Sequence, residues 1–162
     1  MPPAIARTEL DLGHLYRTHI TMVRQRCLRI LGAQAMAEDI AQDVFVSFAE
    51  TYGSKPPERS GALLYAMATH RALNALRDGR RRNEILAQNA STEVEIPNEL
   101  GVDLRRALAA LDPELAAIGT YTYVDGMEQD EIAEVLGLHR RTVSRRLEAF
   151  RVEARALLGG QR

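Results

Sequence analysis

Gln129-Asp130-Glu131-Ile132-Ala133-Glu134-Val135-Leu136-Gly137-Leu138-His139-Arg140-Arg141-Thr142-Val143-Ser144-Arg145-Arg146-Leu147 reads as two helices joined by a glycine turn, the second studded with arginine. Gly137 can take the positive φ that a tight turn requires, and Ala133 stays small where the two helices cross most closely. Ile132, Leu136, Val143 and Leu147 recur at helical spacing and form the inward faces, which leaves Arg140, Arg141, Ser144 and Arg145 pointing outward. The pattern is a helix-turn-helix. Its second helix, from Arg140 to about Leu158, fits the major groove of B-DNA, where arginine grips guanine through two hydrogen bonds and serine or threonine binds phosphate. His139, at the N-cap position, with Arg140, Arg141, Thr142, Ser144, Arg145 and Arg146, makes up the candidate DNA-contacting set. The bland alternative is a helical hairpin with a solvated arginine face. The joint occurrence of Ala133, Gly137 and Val143 at the expected spacing argues against it.

Working outward, the charge distribution supports a nucleic-acid partner even though the 162 residues sum to a net charge of −1. Five arginines (71, 77, 80, 81, 82) face Asp78 alone between Arg71 and Arg82, and seven arginines face Glu148 and Glu153 from His139 onward. Between these basic segments, Asn83 to Asp103 holds Glu84, Glu93, Glu95, Glu99 and Asp103 with no basic residue. Closely spaced arginines can track phosphates by releasing counterions, so Arg71, Asn74, Arg77, Arg80, Arg81 and Arg82 form a second candidate nucleic-acid edge. A solvated helix end is the competing reading of that run.

The apolar pattern is helical nearly throughout, which predicts an all-α chain. Leu12, Leu15, Tyr16, Ile20, Val23, Cys27, Ile30 and Leu31 trace one buried face ending near Gly32. A second helix is expected from about Ala35 to Tyr52, with Ile40, Val44, Phe45 and Phe48 inward and Glu38, Asp39, Gln42 and Asp43 outward. Gly53 to Pro57 breaks it, because neither proline can donate to a continuing helix. A third helix, from about Ser60 to Arg81, buries Leu64, Met67, Ala68 and Leu73. The weakly periodic, acidic stretch 83–102 suits a flexible linker. The expected organisation is therefore two small helical domains, 1–82 and 103–162, joined by linker 83–102. In the second domain Leu104, Leu108 and Leu111 mark a short helix, and Asp112-Pro113 supplies the cap and first-turn proline of the next. That helix should end around Val124-Asp125-Gly126.

Several function classes are disfavoured. No phosphate-binding Gly-rich loop, nucleophile elbow or His-Glu-x-x-His zinc motif occurs, and the four histidines are scattered, so neither catalysis, a cofactor nor a metal is expected. Cys27 is the single cysteine, so it has no intramolecular disulfide partner. No apolar run approaches the roughly 20 residues that span a bilayer, and no signal peptide is recognisable, which points to the cytoplasm. The acidic face Asp39, Gln42 and Asp43 is either solvated or a docking surface for a basic protein.

Taken together these segments resemble the extracytoplasmic-function (ECF) branch of the sigma-70 family of bacterial RNA polymerase initiation factors. Ala37-Glu38-Asp39-Ile40-Ala41-Gln42-Asp43-Val44-Phe45 resembles the family's core-polymerase docking helix. Leu63 to Asn74 with Arg77 to Arg82 resembles the helix that holds the melted −10 element. The C-terminal motif, preceded by Leu111-Asp112-Pro113 and Tyr123-Val124-Asp125-Gly126, resembles the domain that reads the −35 element. The resemblance implies that Asp39, Gln42 and Asp43 dock on a coiled coil of the polymerase β′ subunit. It also implies that the third helix and the loop from Tyr52 to Ser60 capture a flipped −10 base, and that many relatives are held by an anti-sigma factor. The chain departs from the family pattern at Leu63, Thr69-His70 and Asn74, where Trp, Arg-Asn and Asp are usual. Two other readings remain open at this level: a stand-alone helix-turn-helix regulator, and a degenerate sigma factor that binds only protein partners.

Overall fold

A computed structural model describes residues 11–53, 55–86 and 101–159, and every described element is helical. Helix α1 (Leu12–Leu31) starts where the Asp11 carboxylate accepts from the Gly13 N–H at 2.9 Å, and it stops at Gly32, whose φ of 71° suits only glycine without strain. Helix α2 (Gln34–Tyr52) packs beside it and buries Ala37, Ala41, Val44 and Phe48. Ile40 and Phe45 are half-buried against the same core. Helix α3 (Ser60–Leu86) is the third member of this bundle.

The C-terminal half begins with α4 (Gly101–Ala110) and α5 (Pro113–Gly119). The Asp112 carboxylate caps α5 by accepting from the Glu114 N–H at 2.9 Å, with Pro113 in the first turn as expected. The expected single helix to Val124 instead widens into a π-helical stretch, Thr120–Val124, closed by the Asp125 N–H donating to the Thr120 carbonyl at 3.1 Å. Helices α6 (Gln129–Leu136) and α7 (Arg140–Gly159) complete the helix-turn-helix. Gly137 between them takes a φ of 62°, and Leu138 N–H reaches back to the Ala133 carbonyl at 2.9 Å, so the turn forms as its sequence predicts.

Some expectations need correction. Leu12 and Tyr16 stay partly in solvent at 37% and 42% exposure, and the Tyr16 ring makes an edge contact with the Phe45 ring at 4.8 Å. Leu104 is exposed, while its neighbour Arg105 is buried. The expected linker is also narrower, since α3 continues through residues 83–86 and α4 opens at Gly101; residues 87–100, with Glu93, Glu95 and Glu99, lie outside the described residues.

The two helical halves form as expected, and they also pack against each other. One hydrophobic core runs from Val23, Cys27 and Ile30 through Leu64, Ala68 and Leu73 to Leu108, Ile118, Tyr121 and Ile132. Helix α3 makes this possible. Its buried positions Ser60, Leu64, Ala66, Ala68, Thr69, Ala72 and Leu73 cover about 240° of its circumference at 100° per residue, more than twice the stripe of a surface helix. One side of that arc serves α1 and α2, and the remainder packs on α4, α5 and α6.

Candidate nucleic-acid and polymerase interfaces

Three separate faces carry the candidate residues. On the first, His139, Arg140, Arg141, Ser144 and Arg145 are all exposed along the start of α7, with Thr142 half-buried beside them. The helix is set by Val143, Leu147 and Phe150, which are buried against the rest of the domain and turn the intervening polar positions outward. An open groove of about 1090 Å³ is lined by His139, Arg141, Thr142, Ser144 and Arg145, so five of the seven expected contacts share one surface. Arg140 does not line it; its Nε approaches Asp130 at 3.4 Å.

Arg146 does not join them. Its guanidinium meets Glu114 of α5 at 2.6 Å and is only 26% exposed, because a step of one residue from Arg145 rotates the side chain about 100° toward the domain interior. Arg151 takes a place on the groove instead. Its Nε donates to the Tyr123 hydroxyl at 2.9 Å and its Nη1 to Glu148 at 3.3 Å, which holds the long side chain in place. The sequence reading missed it although the signal was available: Ser144, Glu148 and Arg151 fall at i, i+4 and i+7 on one face.

The second face is the arginine tract of α3. Asn74, Arg77, Arg80, Arg81 and Arg82 are exposed along its C-terminal turns. Arg71 is not equivalent to them, being half-buried and hydrogen-bonded to the Ser47 hydroxyl of α2. The edge expected from Arg71 through Asn74 to Arg77 therefore has one end tied to the bundle and the other open to solvent.

The third face is on α2, where Asp39, Gln42 and Asp43 are exposed at i, i+3 and i+4. The adjoining Glu38 is engaged elsewhere. It accepts from Arg24 at 2.6 Å and from Gln34 at 3.3 Å, and these hydrogen bonds lower its pKa.

A fourth constellation had no counterpart in the sequence reading. Arg26 of α1 is 3% exposed, and its Nη1 and Nη2 donate to the two carboxylate oxygens of Asp125 at 2.7 Å each. Its Nε donates to the Thr69 hydroxyl at 2.9 Å, and its guanidinium carbon lies 4.5 Å from the Tyr65 ring centroid and 5.6 Å from that of Tyr121. Arg29 also approaches Asp125, at 3.8 Å. Burial pushes the Tyr65 hydroxyl up to about 12, against the opposing effect of Arg26. Ninety-nine residues separate Arg26 from Asp125, too far for any local pattern to reveal the pair.

Two family models match separate stretches of the chain. Residues 15–82 match sigma-70 region 2, and residues 101–150 match sigma-70 region 4. ECF RNA polymerase sigma factor SigE of Mycolicibacterium smegmatis is 30% identical over 154 residues, covering 89% of this chain, which spans 60% of that protein's length. ECF RNA polymerase sigma factor SigL of Mycobacterium tuberculosis is 31% identical over 144 residues, covering 82% of this chain and 80% of SigL. Two solved structures share the fold. The sigma factor RpoE of Bartonella quintana, in complex with the anti-sigma factor NepR, matches at TM-score 0.52 and 18% identity over 94% of this chain and 99% of that one. CnrH, in complex with the cytosolic domain of CnrY, matches at TM-score 0.55 and 23% identity over 97% of this chain and 93% of that one. Among the described residues, no helix is long and apolar enough to cross a membrane. With a region 2 that carries the acidic and arginine faces and a region 4 built on the helix-turn-helix, the chain belongs to the ECF subfamily of sigma-70 RNA polymerase sigma factors, which are promoter-recognising initiation factors rather than enzymes.

Proposed function

We propose that this chain binds core RNA polymerase and directs it to promoters, using the α7 face for the −35 element and the α3 tract for the −10 element. The observation that carries the reading is the presence of three exposed, chemically distinct faces on one chain of this family: acidic on α2, basic on α3 and basic on α7. Asp39, Gln42 and Asp43 engage a basic surface of the polymerase, the β′ coiled coil, where complementary charge sets encounter rate and register. His139, Arg140, Arg141, Thr142, Ser144 and Arg145 contact the −35 duplex, with Arg151 added to the set. Asn74, Arg77, Arg80, Arg81 and Arg82 track the −10 strand, whose unstacking costs on the order of a few kcal/mol per flipped base. Synthesis belongs to the polymerase, and the chain works in the cytoplasm without catalysis of its own. An anti-sigma factor is a further candidate partner, supported by the complexes in which RpoE and CnrH were solved.

Run-off transcription with purified core polymerase and a promoter library tests this directly. New transcripts that need both core and this chain are expected. DNA binding without core-dependent initiation would instead establish a stand-alone regulator, and binding to protein partners alone would establish a degenerate sigma factor.

A further inference from the structure

The two promoter-facing surfaces are both open in this structure, yet the chain as folded cannot use them together. The −35 and −10 elements are centred about 25 base pairs apart by their own numbering, and at about 3.4 Å per base pair that is on the order of 85 Å. The closed chain is far smaller. Its longest helix, α3, has 27 residues and measures about 40 Å at 1.5 Å per residue, and α4, α5 and α6 pack directly on it. Residues 87–100 offer a contour of up to about 50 Å at about 3.6 Å per residue, so chain length permits the halves to part. A two-point promoter grip therefore requires that the single core divide along the α3 face.

We propose that the Arg26–Asp125 pair is the latch that holds the halves closed, so that the free chain restrains itself until polymerase and promoter draw it open. The proposal rests on the promoter-binding reading above. The geometry is specific to a closed state. Asp125 sits at the end of the π-helical stretch in the C-terminal half, and it meets Arg26 of the N-terminal half through two parallel bonds of 2.7 Å. The side chains are 2% and 7% exposed, and the Arg26 Nε donates to Thr69 of α3. Tyr65 of α3 and Tyr121 of the π-helical stretch flank the guanidinium, and their rings lie 6.2 Å apart across the junction. Thr69 and His70, where the family usually has Arg-Asn, are thus junction residues in this chain: Thr69 accepts from Arg26, and His70 borders a cavity of about 350 Å³ shared with Val135 and Leu136 of α6.

The chemistry suits a releasable contact better than a permanent one. A desolvated ion pair adds little net stability over an apolar pair, but it fixes alignment, because a misaligned charge would be buried without a partner. On opening, both ions regain water, whereas apolar side chains in the same places would be left exposed. The pair therefore favours one closed arrangement and adds no apolar surface of its own to the open chain. The exposed pair of Arg59 with Glu134 at 3.4 Å also crosses the junction, but it is open to solvent and contributes little.

Paired spin labels at Val46→Cys on α2 and Leu158→Cys on α7, both exposed positions, report the separation of the halves in the full chain. The free chain is expected to give one narrow, short distance, and a broad, long distribution would overturn the latch without need of any further variant. Asp125→Asn keeps the shape and removes the charge. It should broaden and lengthen the distribution at unchanged helical content and raise core-dependent initiation at limiting chain concentration at least threefold, since apparent affinity scales with the open fraction. Arg26→Met with Asp125→Leu, which replaces the charges by apolar groups, should stay closed and initiate less than Asp125→Asn. A narrow distance in folded Asp125→Asn, or opening with no gain in initiation while the parent chain initiates, would overturn the proposal. Absence of transcripts from every form would sink the promoter reading, and the distances would still decide whether the pair holds the halves together.

Discussion

Arg145 and Arg146 are adjacent and chemically identical, yet they face different partners. Arg145 is exposed on the groove of α7, and Arg146 turns back to Glu114. Arg145→Ala should therefore weaken −35 binding by about 1–3 kcal/mol if it reads a base, with the loss concentrated at one position of the site. A loss spread evenly over all sequences would show a phosphate contact instead. Arg146→Ala should change −35 affinity by less than about 1 kcal/mol, because its guanidinium is held by Glu114 and does not line the groove. Electrophoretic binding to a panel of −35 variants separates the two. Cys27 makes a contrasting point about burial. It is fully buried, and desolvation pushes its thiol up to about 11, so alkylation at pH 8 should proceed only as fast as the bundle opens. Rapid modification of the folded chain would contradict that placement.

At the scale of the element, α5 and α7 approach each other at Gly119, where a Cβ would overlap the Phe150 ring. That ring is buried and stacks on Tyr123 at 5.6 Å, so it has little room to move. Gly119→Ala should cost about 1–3 kcal/mol by overpacking and loosen the seat of α7, read as a lower thermal midpoint together with weaker −35 binding. The acidic α2 face behaves differently, since its three candidate residues are exposed and the helix is held by Ala37, Ala41, Val44 and Phe48 underneath. Reversing charge at Asp39 and Asp43 should leave the thermal midpoint nearly unchanged and lower affinity for core polymerase. Unchanged core binding would remove the docking assignment. Most of these elements were legible in the sequence, because amphipathic spacing, Asp112-Pro113 and Gly137 are local signals. The π-helical stretch was not, since nothing in Thr120 to Val124 marks the wider turn that carries Tyr121 inward and ends at Asp125.

For the whole molecule, the junction between the halves should make stability depend on pH. Burial lowers the pKa of His70 on α3, Arg146 of α7 lowers it further, and Glu114 of α5 opposes them. A histidine held neutral by folding takes up its proton more readily when the junction opens. Its contribution to closure is full above the unfolded value of about 6.5 and is lost as the pH falls through the lowered folded value. The thermal midpoint should drop between pH 7.5 and 5.5, and His70→Gln should flatten that drop; an equal slope in both would place the titration elsewhere. The sequence by itself determined the all-helical class, the helix-turn-helix with its outward arginines, the acidic face of α2 and the arginine tract of α3. Each of these is written in residues a few positions apart, where the period of the helix decides which side chains share a face. Only the tertiary structure decided that the two halves share one core, that Arg146 turns away from the α7 groove while Arg151 lines it, and that Arg26 meets Asp125. Those outcomes depend on how the second buried side of α3 is covered and on contacts between residues as many as ninety-nine positions apart, which no local period encodes.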